Sequence, residues 1–307
     1  MGGYGLFSRK KAKRAAVLCY HGVTRRSPNE LREVPNSFLH IPVHLFEAQI
    51  RFIEKFFNPI TLDLLVDAME GKSLLPDRSV LVTFDDGYKS VHQLAKPILE
   101  KYSIKPSVFV TAPGGSALEM MWPDRVFCYF QKLGQKDRDI YQTIEGMKEL
   151  GNEQRKAALE EILQKTSVSL DSLPEECRIM SEEDVRDLSK SGFDIGSHSS
   201  THPILSKMSA DEQSEEIAQS KVRLEKITGK PVEAFAYPNG RVQDFNEDTV
   251  RILKEKGYRT AFTTVEGYSS PDSDPYRLRR FFVMGNLPTY EFCHRMTMSW
   301  PSKYRVV

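Results

Sequence analysis

Short apolar runs alternate along this chain with longer segments in which apolar residues recur at helical spacing. Each run is about as long as a buried β-strand and ends at polar or turn-forming residues. They predict seven strands, at residues 15–20, 79–84, 106–111, 193–197, 233–237, 259–264 and 280–284. Strands that alternate with helices favour an α/β architecture.

The segments between the runs carry signals for the start and end of helices. Residues 43–57 place their apolar side chains on one helical face. Ser209 and Glu212 form a predicted capping box for a helix that continues to about Gly229. The other predicted helices cover residues 61–69, 89–102 and 246–256.

The stretch 115–180 interrupts this alternation. It predicts one short helix at 123–133 and a charged, solvated helix at about 146–166. We interpret the stretch as a helical insertion within one domain. The predicted organisation is a basic N-terminal segment (1–14), an α/β domain (15–285) that contains the insertion, and a C-terminal extension (286–307). We expect the extension to pack on the domain, with a contact surface as the alternative.

Composition and charge exclude several classes of function. The 43 basic and 42 acidic residues give a net charge of +1, so no global field indicates nucleic acid. The four widely spaced cysteines favour neither a thiolate zinc site nor a disulfide framework.

Targeting signals are weak in this sequence. We find no apolar run near the roughly 18 residues of a membrane span and no convincing signal peptide. A cytoplasmic location is therefore expected, with export left open. We interpret the basic run at residues 9–14 as a solvated terminus. Peripheral contact with the anionic inner membrane face is the alternative.

Two polar clusters follow two of the predicted strands. Asp85 and Asp86 end the run 79–84, and His198 and His202 follow the run 193–197. Adjacent acids after a strand also occur in turns, and the pair alone leaves that interpretation open. Two histidines and one carboxylate form a set that zinc hydrolases and non-haem iron oxygenases both use. The second carboxylate favours hydrolysis, which needs a base to take a proton from water.

Two further segments carry weaker signals. Residues 235–240 predict a strand that ends in a Pro-Asn-Gly turn, whose backbone amide could face a substrate. His21 ends the first predicted strand, where a structural hydrogen bond is the more ordinary role.

The three segments Thr83–Gly87, Ser197–His202 and Phe235–Gly240 resemble, in order and spacing, motifs of the NodB-homology polysaccharide deacetylases (carbohydrate esterase family 4). The resemblance covers roughly residues 15–285. It implies a distorted (β/α)7-type barrel and metal-dependent removal of acetyl groups from sugars.

The resemblance also implies a role for individual residues. Asp85 would be the general base that deprotonates a metal-activated water, and the Tyr237 backbone N–H would help to form the oxyanion hole. The implied metal ligands are Asp86, His198 and His202.

The sequence departs from the family pattern at two points. An arginine that pairs with the base is missing before Tyr237, and Arg280 is the preferred substitute. A late Leu-x-His motif with the catalytic acid is also missing. Tyr20-His21 resembles the branch of poly-N-acetylglucosamine deacetylases in which an N-terminal histidine supplies this acid, so His21 is the predicted acid. Pro238 and Asn239, together with Arg280, complete the predicted substrate-side residues.

The leading hypothesis is a zinc-dependent deacetylase of an N-acetylated sugar, polysaccharide or glycolipid precursor, for which cobalt, nickel or manganese could also serve. One alternative is a hydrolase of non-sugar linear or cyclic amides, with 115–180 as its lid. The other is a non-catalytic glycan-binding barrel. An open sugar groove would expose aromatic residues such as Trp122 or Tyr237. The oligomeric state is left open, and no nucleic-acid partner is expected.

Overall fold

The computed structural model describes residues 13–27, 30–112, 120–164 and 175–298. Its strands are β1 (Ala15–Tyr20), β2 (Gly22–Thr24), β3 (His40–Pro42), β4 (Asn58–Pro59), β5 (Ser79–Phe84), β6 (Ser107–Val110), β7 (Asp194–Ser197), β8 (Ala234–Ala236), β9 (Thr260–Phe262) and β10 (Phe281–Phe282). Its α-helices are α1 (Val43–Phe56), α2 (Leu62–Met69), α3 (Lys96–Lys101), α4 (Trp122–Lys132), α5 (Asp137–Lys148), α6 (Asn152–Gln164), α7 (Glu182–Lys190), α8 (Ala210–Thr228), α9 (Glu247–Glu255) and α10 (Thr289–Met298).

Seven parallel strands form a curled sheet in the order β10-β1-β5-β6-β7-β8-β9, and β4 pairs with the start of β5. They correspond to the seven predicted strands, although most are shorter than the apolar runs suggested. At the seam between β9 and β10, Leu278 pairs with Phe262 and continues the curl. The sequence-based prediction of an α/β fold of the distorted (β/α)7-barrel type is confirmed.

Every residue of β1 and β5 is buried, as expected for parallel strands that are covered on both faces. Alternate residues contribute to two clusters. Ala16, Leu18 and Tyr20 face the cluster shared with the outer helices. Ala15 and Val17 face an inner cluster together with residues of α2. Burial of each large apolar side chain stabilises such a core by roughly 1.5–3 kcal/mol.

Helix boundaries follow local chemistry in most cases. The predicted capping box at the start of α8 is present: Ser209 and Glu212 bond each other's backbone N–H groups. Residues 89–102 were predicted as one helix, but a π-helical turn at Val91–Ala95 precedes α3. Pro97 lies in the first turn of α3 and lacks a backbone N–H, which disfavours continuous α-helical bonding there.

The insertion differs from its prediction in one respect. The charged helix expected at about 146–166 is present as the shorter α6, but a further helix that was not predicted, α5, precedes it and ends at Lys148. Gly151 lies in the break and directly precedes α6, a position that suits glycine better than a helix interior does. α4, α5 and α6 pack together around Phe127 and Ile140 as a separate apolar cluster.

The structure describes the two ends of the chain only in part. The C-terminal extension includes α10, whose Phe292 and Met296 are buried in the main core, so the predicted packing is confirmed for this part. Residues 1–12, which hold most of the basic N-terminal run, lie outside the described residues, as do 28–29, 113–119, 165–174 and 299–307. Over the described ranges, no helix is long and apolar enough to cross a membrane.

Candidate active site

The carboxyl ends of four strands bring the predicted site residues to one edge of the sheet. His21 follows β1, Asp85 and Asp86 follow β5, His198 follows β7, and Tyr237 follows β8. Parallel strands present their carboxyl ends on the same side, where open α/β sheets and barrels commonly bind ligands. The sheet topology therefore gathers residues that are far apart in the sequence.

Asp86, His198 and His202 converge on one point. The Nε2 atoms of His198 and His202 lie 3.3 and 3.4 Å from Oδ1 of Asp86. All three potential ligand atoms lie within 4.8 Å of one another. Asp86 and His202 adopt left-handed backbone conformations, with φ of 72° and 55°. Such angles are uncommon for residues other than glycine and often mark functional loops.

The chemistry of this donor set fits a divalent cation. His198 Nδ1 lies 2.8 Å from the carbonyl oxygen of Ala236, which can only accept a hydrogen bond. Nδ1 therefore carries the proton, and in the neutral ring the lone pair of Nε2 faces the Asp86 carboxylate. A neutral ring and a carboxylate directed at each other are two acceptors, which a cation bound between them would stabilise. Two histidines and one aspartate with open positions form a common zinc site.

The histidines of this set differ in their pKa. Burial and the neighbouring His198 lower the pKa of His202 to about 3, which keeps its ring neutral. Burial alone would lower the pKa of His198, but the hydrogen bond and negative charges of Asp86 and Asp85 raise it. For Asp86, burial opposes ionisation, yet the surrounding histidines hold its pKa well below the usual range.

Asp85 is bound by a buried arginine, Arg280, which directly precedes β10. Arg280 Nη1 donates to Asp85 Oδ1 at 2.7 Å, and Nη2 donates to Oδ2 at 2.6 Å. Burial would raise the pKa of Asp85, but the Arg280 charge keeps it below the usual range. Asp85 is therefore an ionised carboxylate beside the candidate metal ligands. Arg280 is fully buried under Asp85, so it contacts the predicted base and does not line the cavity.

Cys19 adds a third donor to Asp85. Its thiol donates to Oδ2 at 3.4 Å, and burial raises its pKa far above the ordinary value. Cys19, His21 and Asp85 also lie close enough together to resemble a second metal site. The Arg280 guanidinium already compensates the charge of Asp85, which disfavours a cation at this position.

A cavity of about 440 Å³ opens over these residues. His21, Asp85 and Asp86 line one part of it, and helices α4 and α5 of the insertion line another. Its volume lies within the range of small-molecule sites. Trp122 and Tyr237, the aromatic residues considered for a sugar groove, are 4% and 0% exposed, so neither presents a ring face to solvent. The aromatic rings at the cavity are instead those of Phe38, Tyr88, Tyr141 and Phe282.

The backbone around Tyr237 does not support its predicted role. The Tyr237 N–H donates to the carbonyl oxygen of Phe262 at 3.0 Å and is therefore unavailable for an oxyanion. Asn239 lies two residues further on, lines the cavity and has a φ of 61°. In the part of the chain that the structure describes, its backbone N–H has no acceptor. Pro238 does not line the cavity.

The side chain of Asn239 is already engaged by the protein. Its Nδ2 donates to Asp244 at 2.5 Å, and its Oδ1 accepts from Lys148 Nζ at 3.0 Å. Lys148 belongs to α5, and Glu145 of the same helix pairs with Arg241. The insertion is thus tied to the loop that carries Asn239, a contact between distant segments that the sequence did not reveal.

The sequence analysis also missed a buried acid, Asp124 of α4. It accepts hydrogen bonds from Asn36 Nδ2 and, at 2.9 Å, from the Tyr88 hydroxyl, and all three residues line the cavity. Burial raises its pKa to about 7, and the negative charge of Asp86 adds to this effect. In the sequence, Asp124 is distinguished only by its position near a tryptophan at the start of a helix. That signal is too weak to predict a buried acid.

Asp124→Asn should change how stability depends on pH. The unfolded chain loses this proton near pH 3.8 and the folded chain near pH 7, so wild-type stability falls as pH rises between these values. We expect the variant to lack this loss. Its free energy of unfolding should therefore rise relative to that of the wild type by on the order of 4 kcal/mol as the pH increases from about 4 to about 8. Urea unfolding across this range measures it, with Asp139→Asn, an exposed acid in α5, as control. A constant difference between variant and wild type would contradict the buried titration.

Comparisons with known proteins place this arrangement in a family. A family model described as polysaccharide deacetylase matches residues 72–261. The chain is 26% identical over 282 residues to the poly-β-1,6-N-acetyl-D-glucosamine N-deacetylase of Staphylococcus epidermidis, covering 88% of this chain and 78% of that protein. It is 23% identical over 278 residues to YxkH of Bacillus subtilis, covering 89% of this chain and 73% of that protein.

A solved structure supports the fold. The Streptococcus pyogenes deacetylase PplD in complex with acetate aligns with a TM-score of 0.65 and 20% sequence identity, over 93% of this chain and 99% of that one. The family match covers more than half of the chain and includes Asp85, Asp86, His198, His202 and Asn239. The chain therefore belongs to the polysaccharide deacetylase family, whose members are metal-dependent hydrolases of acetylated sugars.

Proposed function

We propose that this protein removes acetyl groups from N-acetylated hexosamines within a polysaccharide or glycolipid precursor. One observation carries the proposal: an ionised carboxylate, Asp85, is fixed by Arg280 directly beside the Asp86, His198 and His202 set. A glycan-binding barrel would gain nothing from a buried, charge-paired base at a metal set. Metal-dependent hydrolysis requires both the base and the metal ligands.

Asp86, His198 and His202 would hold the metal, for which zinc suits the donor set best and cobalt, nickel or manganese could serve. When bound, such a cation polarises the acetyl carbonyl and favours deprotonation of water. The described residues supply the remaining steps. Asp85 accepts a proton from the water whose oxygen attacks the acetyl carbon, and Arg280 keeps Asp85 ionised and correctly oriented for this step.

Two other groups complete the reaction. We assign the backbone N–H of Asn239 as hydrogen-bond donor to the oxygen that becomes negative, because Asn239 lines the cavity and this N–H has no protein acceptor among the described residues. His21 lines the same cavity and would donate the proton to the sugar nitrogen as the carbon–nitrogen bond breaks. The products are acetate and a free amino sugar.

The substrate class is argued from the relatives and from the cavity. The Staphylococcus epidermidis relative is named for poly-β-1,6-N-acetyl-D-glucosamine. Asn36 and Asp124 contribute polar groups to the cavity wall, and Phe38 and Tyr141 contribute aromatic rings 6.1 Å apart. Such a mixture suits a pyranose ring, whose hydroxyl groups need polar partners and whose faces are apolar.

Acetate release by the purified protein tests the proposal. The panel contains N-acetylated nucleotide sugars, lipid-linked N-acetylhexosamines, chito-oligosaccharides and β-1,6-linked N-acetylglucosamine oligomers, each with added zinc or cobalt and with chelator. Release that requires metal and Asp85 supports the proposal, and the best substrate defines the class. A protein that binds metal but releases no acetate would refute it and favour a non-sugar amide or a binding role.

His21→Ala should slow acetate release while leaving the metal bound. General acid catalysis is typically worth about 100-fold or more, so we expect a fall of that order in kcat. The His21 ring packs 5.2 Å from that of Phe282 and is no part of the Asp86 set. Steady-state kinetics and metal analysis of the same preparation measure both effects. Turnover at the wild-type rate would rule out His21 as the acid.

A further inference from the structure

The loop between the two candidate histidine ligands is held by contacts from two other elements. This ligand loop, residues 198–202, has left-handed backbone angles at Ser199 (φ 67°) and His202 (φ 55°). An isolated loop would seldom adopt both, because side chains other than glycine disfavour this region. The conformation that brings His202 to Asp86 must therefore be imposed from outside the loop.

The first contact comes from Glu216 of α8. Its Oε1 accepts hydrogen bonds from the backbone N–H of Ser200, at 2.8 Å, and from that of Thr201. In return, the Ser200 hydroxyl donates to the Glu216 backbone carbonyl at 3.1 Å. Glu216 is only 9% exposed. One buried carboxylate thus binds the two consecutive amides in the middle of the ligand loop.

The second contact comes from the insertion. Trp122, at the start of α4, donates from Nε1 to the backbone carbonyl of His202 at 3.1 Å. Inside the loop, the His202 N–H donates to the Ser199 hydroxyl at 3.0 Å. The peptide groups on both sides of His202 are therefore fixed. Trp122 is buried and therefore does not stack on a sugar, but its indole N–H fixes the backbone of His202.

We propose that Glu216 and Trp122 are positioning residues that hold His202 in the geometry needed for metal binding. The inference rests on the proposed metal site and deepens it. Glu216 touches neither the metal ligands' side chains nor the substrate cavity. Its effect is carried through the loop backbone, as outer contacts of metal sites commonly act.

Metal affinity tests this inference directly. Glu216→Ala removes the acceptor and should weaken zinc binding by about 10- to 100-fold, the usual effect of losing an outer contact. Glu216→Gln keeps an acceptor oxygen and should stay within about threefold of wild type. Glu215→Ala, an exposed neighbour on the same helix, is the matched control and should not change affinity. Zinc competition with a chromophoric chelator measures all three on proteins shown to be folded by circular dichroism.

A second variant addresses the insertion and guards against misfolding at position 216. Trp122→Phe removes the indole N–H but keeps an aromatic ring in the cluster. We expect about tenfold weaker zinc binding and an altered visible absorption spectrum of the cobalt-loaded protein, which a general loss of stability would not produce. Wild-type affinity in both Glu216→Ala and Trp122→Phe overturns the inference. If Glu216→Ala does not fold, Trp122→Phe alone decides. A wild-type protein that binds no metal would instead overturn the proposed function, and this inference with it.

Discussion

Asp85→Asn is expected to reduce acetate release by about 100- to 10,000-fold, the usual contribution of a general base, while the metal stays bound. Asparagine has almost the same shape as aspartate, but its amide cannot accept a proton from water. The three candidate metal ligands are unchanged by the substitution, and the Asp85 oxygens are bound by Arg280 and Cys19. When both are measured on the same preparation, turnover should therefore fall while the metal content stays at the wild-type level.

The variant also carries a stability cost that must be controlled. An asparagine NH₂ would face one of the Arg280 N–H groups, and removal of one member of a buried ion pair costs about 3–5 kcal/mol. The double variant Asp85→Asn with Arg280→Gln removes the unpaired charge. We expect it to recover stability in urea unfolding without recovering activity. Activity within tenfold of wild type in either variant would show that Asp85 is not the base, and loss of metal in both would show that it is a ligand.

The sequence predicted the candidate ligand set, whose residues the structure brings together, because its chemistry is local. Asp86 follows a strong apolar run directly, and His198 and His202 are separated by a metal-ligand spacing after another run. Parallel strands present their carboxyl ends on one side of a sheet, so the two loops could be expected to meet. Their meeting in space follows from the strand order, in which only β6 separates β5 from β7.

Other parts of the site depend on contacts that no local pattern encodes. Arg280 reaches Asp85 across 195 residues, and only the absence of a nearer arginine suggested it. Glu216 looks in the sequence like any acid on an amphipathic helix, and Trp122 looks like an exposed aromatic residue. The role predicted for Tyr237 fails for a related reason: the pairing of β8 with β9 determines which N–H groups are satisfied, and the sequence does not reveal this pairing.

His198→Ala should abolish both metal binding and acetate release. Its Nε2 is one of the three atoms that converge on the proposed metal position, and its Nδ1 is bound to the Ala236 carbonyl. Loss of a direct ligand should weaken zinc binding by more than the 10- to 100-fold that outer contacts contribute. Chelator competition measures this, and activity should fall to the level of the metal-free enzyme.

The control for His198→Ala is His44→Ala, which removes an exposed imidazole from α1 and should leave zinc affinity and turnover unchanged. Zinc affinity of His198→Ala within tenfold of wild type would show that the histidine is not a ligand.

The two variants His198→Ala and Asp85→Asn are best interpreted together, because Asp85→Asn is expected to keep the metal without turnover. If one variant loses the metal and the other keeps it, then two neighbouring strand ends supply separate functions, one holding the metal and the other moving the proton. If both variants lose the metal, Asp85 belongs to the ligand set. The base must then be another group that lines the cavity, and His21 is the first candidate because an imidazole can accept a proton.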